Sequence, residues 1–404
     1  MKTLKRILAA TTLLVTLGFA SEANAQVPLE NFFKNPEKAG YQISPDGKYF
    51  SYMAPYENRL NLFVQEVGSD KATRITSETV RDLAGSMWAN GHRILYIKDT
   101  AGDENFQLYG VNVDGTDSKA YTAFPKVRTT IIDPLENIDS LVIIGLNKRN
   151  PQVFDPYRLN LNNGELTQLA ENPGNIQGWM TDHNGKLRVA LAIVDGVNTQ
   201  ILYRETEEQP FRPVLTTNFK ETVSFATFTP DNKMVYALTN IGRDKTALVL
   251  MDPATCEEKE VLYTNDKYDI SGLGYSELKK KLISVSCTGH KGTIRHYFDK
   301  NEEAIRTKLE QKLEGYDINT TSEDKSGGDR TYGTYYTYNV KEDKLTKIAD
   351  LAPWIKEEDM VPMHPITYTS RDGLTIEGYL TLPKGYTMEN AKNLPVVVNP
   401  HGGP

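Results

Sequence analysis

Cysteine is nearly absent, with two residues in 404. That excludes a disulfide framework. Cys256 and Cys287 lie 31 positions apart in strand-like sequence. They read as two isolated thiols rather than one bridge, although an oxidising compartment would let them meet. A long basic run is also missing, and Lys+Arg number 46 against Asp+Glu 53, a net charge of −7. This balance excludes nucleic acid and anionic membrane as principal partners. Beyond residue 25 no apolar run approaches the roughly 20 residues that cross a bilayer, so no membrane span is expected. Long helical patterns are scarce too. What is plentiful is turn and strand material, with 29 Gly, 20 Pro and 22 Tyr. At 39% apolar and 25% charged the chain is too apolar for disorder. Its 404 residues amount to two or three domains at about 150 each.

The first 25 residues read as an export signal. Lys2, Lys5 and Arg6 make a positive start, and Ile7 to Ala20 an apolar stretch too short for a span. Ala23-Asn24-Ala25 then supplies small residues for cleavage between Ala25 and Gln26. No cysteine stands at the cut, so no lipid anchor is expected. The mature chain is expected in the periplasm or outside the cell.

A polar turn leading into a strand then recurs along most of the chain. Ser44-Pro45-Asp46-Gly47-Lys48 precedes Tyr49-Phe50-Ser51-Tyr52, and Thr229-Pro230-Asp231-Asn232-Lys233 precedes Met234-Val235-Tyr236-Ala237. Degenerate copies are marked by Ala89, Pro134, His183, Ser276 and Glu323, with successive steps of 44, 45, 49, 47, 46 and 47 from Pro45. A second strand-turn signal runs in phase, as in Leu108-Tyr109-Gly110-Val111 before Asp114-Gly115. A period of about 40–50 residues with some four short strands per unit is the pattern of a β-propeller. Seven units are countable, so the sequence predicts an all-β seven-bladed β-propeller over residues 26–364. The turns themselves are hairpin chemistry, in which Gly supplies a positive φ, and no catalytic role attaches to them. The seventh unit is atypical: Lys325-Ser326-Gly327-Gly328-Asp329-Arg330 stands where an apolar strand is expected, so a strand is missing or a segment has been lost. One helix interrupts the pattern over Asn301 to Leu313, with Ile305, Leu309 and Leu313 on one face and Gly315 as its stop.

From Pro365 the period ends. Ile366–Thr369 and Leu374–Leu380 flank Ser370-Arg371-Asp372-Gly373, a hairpin signal. Val396-Val397-Val398 reads as a strand buried on both faces, as in a parallel sheet, and runs into His401-Gly402-Gly403-Pro404. A glycine-rich loop after such a strand suits an oxyanion-binding backbone, because glycine lets the amide approach a substrate oxygen closely.

In this order, signal, propeller, hairpin and strand-His-Gly-Gly-Pro resemble the prolyl oligopeptidase family of serine peptidases. The closer likeness is to its bacterial acylaminoacyl and dipeptidyl peptidases. It extends over the mature chain, including Pro36-Glu37-Lys38-Ala39-Gly40-Tyr41 and the connector Arg371-Asp372-Gly373-Leu374-Thr375-Ile376-Glu377-Gly378-Tyr379-Leu380. The resemblance implies that residues 365–404 begin an α/β-hydrolase domain, with His401, Gly402 and Gly403 as its oxyanion-side loop. It implies short peptide substrates, a propeller that restricts access, and no cofactor. No Gly-x-Ser-x-Gly elbow occurs in these residues. His401 precedes where the nucleophile would stand, whereas the hydrolase order is Ser, Asp, His, so it is not the triad base. The expectation is therefore a truncated hydrolase domain without nucleophile, Asp or His of the triad, inactive alone. A non-catalytic peptide- or protein-binding propeller and a nonfunctional remnant are the alternatives.

Among the six histidines, Cys287, His290 and His296 match no common zinc spacing, and no metal is expected. Some dipeptidyl peptidases of the family hold the substrate amino terminus with a propeller Glu pair. Glu207-Glu208 and Glu302-Glu303 are read instead as loop and helix-start carboxylates.

Overall fold

The computed structural model describes residues 27–277, 279–290, 292–319, 325–327 and 333–400. The signal segment with Ala25 and Gln26, and the loop His401, Gly402 and Gly403, lie outside the described residues. Among those described, the chain forms seven consecutive meander sheets and a final hairpin. Each sheet opens on a leading strand: Ala39–Ile43, Gly85–Asn90, Thr129–Asp133, Ile176–Thr181, Val223–Phe228, Ile270–Ser276 and Asp317–Asn319. Every later strand pairs antiparallel with the one before it.

The repeated turns have a common chemistry. Ser44 Oγ donates to Asp46 at 2.6 Å and accepts from the amides of Lys48 and Tyr49, while Gly47 sits at φ 71°. Thr229 and Asp231 repeat the arrangement at 2.7 Å, with Asn232 in the glycine place at φ 58°. Here the side chains replace the backbone partners that a tight turn leaves free.

Alternation along the strands builds the core. In Arg93–Lys98, Ile94 and Tyr96 pack with Leu62 and Val64 of the first sheet, whereas Leu95 packs with Val142 and Ile144 of the third. With a side-chain period of two, one strand serves two neighbours. The same division recurs at Ala247–Met251, where Val249 joins the fourth sheet and Leu248 the sixth. Tyr41, Tyr52 and Tyr335 join the first sheet to the seventh. The core is therefore a series of interfaces between successive sheets, not one central mass.

Four sheets of four strands open the series, the fifth also has four, and the sixth has three. After Gly292–Tyr297 the chain enters the helix α1, Lys300–Lys312. Asp299 caps it by accepting from the amides of Asn301 and Glu302. Leu309 and Leu313 bury against Ile318, so the expected apolar face is the packed one. The seventh sheet has four strands. Its polar stretch forms the short strand Lys325–Gly327, which needs only backbone groups to pair. Residues 320–324 and 328–332 lie outside the described set.

Met363–Thr369 and Thr375–Thr381 form the expected hairpin. Val396, Val397 and Val398 differ from expectation: they form no strand and are 79%, 92% and 81% exposed. A strand buried on both faces needs a neighbour on each side, and the described residues place none beside it. No helix among the described residues is long and apolar enough to cross a membrane.

Candidate functional site

The leading strands of the third to sixth sheets surround a cavity of about 610 Å³. Its lining is mainly polar, with Ile132, Trp179, Met180, Phe225 and Leu273 adding apolar side chains and Asp133 and Glu277 carboxylates at one end. A smaller cavity of about 250 Å³ adjoins it through Asp133, Thr181, Thr227 and Glu277.

That end is drawn together by side chains from several sheets. His183 follows the fourth leading strand, and its Nε2 lies 2.9 Å from the Phe228 carbonyl oxygen of the fifth sheet. Its Nδ1 lies 3.2 Å from Glu277 Oε2 of the sixth. The Tyr275 hydroxyl is 3.3 Å from His183 Nε2, and the two rings stack with centroids 5.3 Å apart. Asn137, from the third sheet, donates to the Glu277 carbonyl at 3.2 Å and to its carboxylate at 3.3 Å. Asp133 accepts from Thr181 Oγ1 and from the Leu135 amide. Burial, and secondarily the Glu277 carboxylate, push the Tyr275 phenol up to about 12, so it stays protonated at neutral pH.

The hairpin docks at the opposite end of the sixth sheet. Glu377 accepts from Lys267 at 3.0 Å and lies 3.7 Å from His290 Nδ1, while Tyr379 donates to the His290 carbonyl at 3.1 Å. Lys267 precedes the leading strand and Glu277 follows it, so about 20 Å of strand separates the two clusters. The first described turn, Leu29–Phe32, is held beside the seventh sheet, where Trp354 Nε1 donates to the Asn31 carbonyl at 2.8 Å.

The Glu pairs set aside in the sequence have structural partners. Glu207 accepts from the Leu187 amide at 3.0 Å and from Arg158 at 2.7 Å. Burial opposes ionisation there, but these donors outweigh it and hold the carboxyl below its usual range. Glu302 meets Lys279, and Glu303 meets Lys300 at 2.8 Å. Cys287 is buried in apolar surroundings, His296 stacks on Tyr263 and His290 on Tyr379. Cys256 and Cys287 are free thiols. Burial, then Asp252, push the Cys256 thiol up to about 11.

In the sequence His183 and Tyr275 stand only as markers of repeat turns, and nothing there points to Glu277. Their common position was the available signal. Asp133, Thr181–His183, Phe228 and Tyr275–Glu277 all stand at or just after the end of a leading strand, so equivalent positions of the repeat meet at one end.

The class that this fold defines is an all-β chain of successive sheets, and it resembles the propeller domain of prolyl endopeptidase. A solved prolyl endopeptidase matches 94% of this chain and 60% of its own at TM-score 0.62 and 12% identity. No family model matches the chain. Dipeptidyl aminopeptidase BIII of Pseudoxanthomonas mexicana is 30% identical over 396 residues, covering 92% of this chain and 56% of the relative. Dipeptidyl peptidase family member 6 of Caenorhabditis elegans is 25% identical over 414 residues, covering 95% and 55%. The chain thus spans about half the length of the curated relatives it matches. Two curated relatives are thus dipeptidyl peptidases and one solved structure of similar fold is a prolyl endopeptidase, which places the similarity in the prolyl oligopeptidase family.

Proposed function

We propose that this chain is the propeller part of an exported serine peptidase that removes short units from peptides through an acyl-enzyme. In this reading the seven sheets are seven blades, and the hairpin and Val396–Val398 begin the α/β-hydrolase domain. The backbone of His401, Gly402 and Gly403 serves the oxyanion side. The propeller restricts access so that only short or extended peptides reach the chemistry. The identity to a dipeptidyl aminopeptidase along 92% of the chain carries the reading. The cavity supports it: a mainly polar lining with interspersed apolar side chains and carboxylates at one end suits an extended peptide better than a compact protein.

These 404 residues contain no Gly-x-Ser-x-Gly elbow, so alone they are expected to be catalytically inert. The test is the coding sequence beyond codon 404. A frame that continues into such an elbow, giving a product that releases dipeptides from peptide anilides, supports the reading. A longer product that binds peptides without cleaving them or reacting with a serine probe supports a non-catalytic peptide-binding propeller instead.

A further inference from the structure

The sixth sheet stops one strand short. Six of the seven sheets have four strands, whereas this one ends at Gly292–Tyr297. The Phe298 amide donates inward to the Ile283 carbonyl at 2.8 Å. Bonding residues alternate along an antiparallel pair, so Thr293, Arg295 and Tyr297 turn their amides and carbonyls outward. Among the described residues no strand pairs with them. The other outermost strands are guarded. Ala72–Arg74, Lys119–Ala120 and Leu166–Gln168 are two or three residues long. Arg212–Thr217 carries Pro213, and Glu258–Tyr263 and Lys344–Asp350 carry several charges and a break in register. These devices keep a sheet edge from pairing with another chain. Gly292–Tyr297 has none of them: it runs six residues in unbroken register without proline, lysine or carboxylate. Ile294 stands on it 41% exposed.

We propose that this edge pairs with the same edge of a second copy of the chain, making one six-stranded sheet across a two-fold axis. An antiparallel pair of identical strands is two-fold symmetric, so one edge supplies both halves of the interface. The strand itself selects the register. An axis at Thr293 or His296 overlaps only three residues of the strand, whereas an axis at Ile294 or Arg295 overlaps five. Centring on Arg295 sets two guanidinium groups directly opposite, which is repulsive. Centring on Ile294 sets that side chain against its own counterpart and covers both. Thr293 of each copy then exchanges backbone hydrogen bonds with Arg295 of the other. The hairpin at His290 and α1 from Lys300 flank the edge, so pairing is confined to this stretch. Five paired residues bury less than the roughly 1,200 Å² of a standard interface, so the dimer is weak and reversible. The inference rests on strand pairing and stands whether or not the longer protein cleaves peptides.

Sedimentation velocity of the 404-residue chain between roughly 5 and 300 µM reads the association. A dimer fraction that grows with concentration is expected. Arg295→Pro removes an outward amide and keeps the inward ladder, while Ile294→Lys sets two like charges face to face. Each is expected to weaken the dimer about tenfold, with the circular dichroism of the fold retained. Cross-linking reads the register. In chains carrying Cys256→Ala and Cys287→Ala, Ile294→Cys places two thiols on Cα atoms roughly 4.5 Å apart across the axis. Oxidation is expected to link that variant to itself. Thr293→Cys and Arg295→Cys are expected to link to each other when mixed, and far less to themselves. A monomer throughout the range, a dimer untouched by both substitutions, or equal self-linking at all three positions overturns the proposal.

Discussion

The Tyr335 hydroxyl accepts a hydrogen bond from the Gly40 amide at 2.9 Å, although 295 positions separate the two residues. Around this contact Tyr41 stacks on Tyr52 with centroids 4.6 Å apart and lies 5.0 Å from Tyr335. Among the described residues, these rings and this bond join the first sheet to the seventh. Gly40 holds φ 63°, and a Cβ there would stand 3.3 Å from Met53 Cε, which favours glycine at the junction.

Tyr335→Phe keeps the ring and leaves the Gly40 amide without its partner. The expected cost is about 1 kcal/mol in denaturant unfolding. Tyr335→Ala also opens the aromatic cluster and is expected to cost about 3–5 kcal/mol. Equal midpoints for the parent chain and both variants would show that closure does not rest here.

Phe228 is fully buried between the fourth and fifth sheets, with the Arg188 guanidinium 4.9 Å from its ring centroid. Phe228→Ala is expected to lose about 3–5 kcal/mol. Val397, 92% exposed, provides the contrast. Val397→Ser is expected to stay within about 0.5 kcal/mol of the parent chain. Thermal unfolding of the two variants side by side decides the matter, and a larger loss at Val397 would mean that the segment is covered.

Glu207 gives a pH-dependent case. Its carboxyl is held below the usual range despite burial, by the Leu187 amide and Arg158. A depressed carboxyl stabilises the fold above its unfolded pKa of about 4.3 and loses that contribution as pH falls through the folded value. Glu207→Gln is accordingly expected to cost about 1–3 kcal/mol at neutral pH. The gap to the parent chain should shrink towards about pH 3. Urea titrations at both pH values check this, and a penalty independent of pH would contradict it.

Much of the fold was legible because it is local and repeated. Pro45-Asp46-Gly47 and Pro230-Asp231-Asn232 marked turns that their own side chains stabilise, and Ile305, Leu309 and Leu313 marked a helix by spacing alone. The strand at Lys325–Gly327 was not legible, because backbone pairing there leaves no apolar trace. Val396–Val398 misled for the opposite reason: an apolar run states what a segment requires, not what stands beside it. The cluster of His183, Tyr275 and Glu277 was hidden because its members lie 92 and 94 positions apart and meet only when the sheets are brought around a cavity.

In the proposed function this chain serves as the propeller of a serine peptidase, and no Gly-x-Ser-x-Gly elbow occurs among these 404 residues. Fluorophosphonate labelling, run beside dipeptidyl-anilide hydrolysis, tests it most directly on the 404-residue chain and on the product of the coding frame extended past it. No labelling and no release are expected from the first, and one labelled serine with dipeptide release from the second. Labelling of the 404-residue chain, or silence from an extended product that contains a Gly-x-Ser-x-Gly segment, would contradict it.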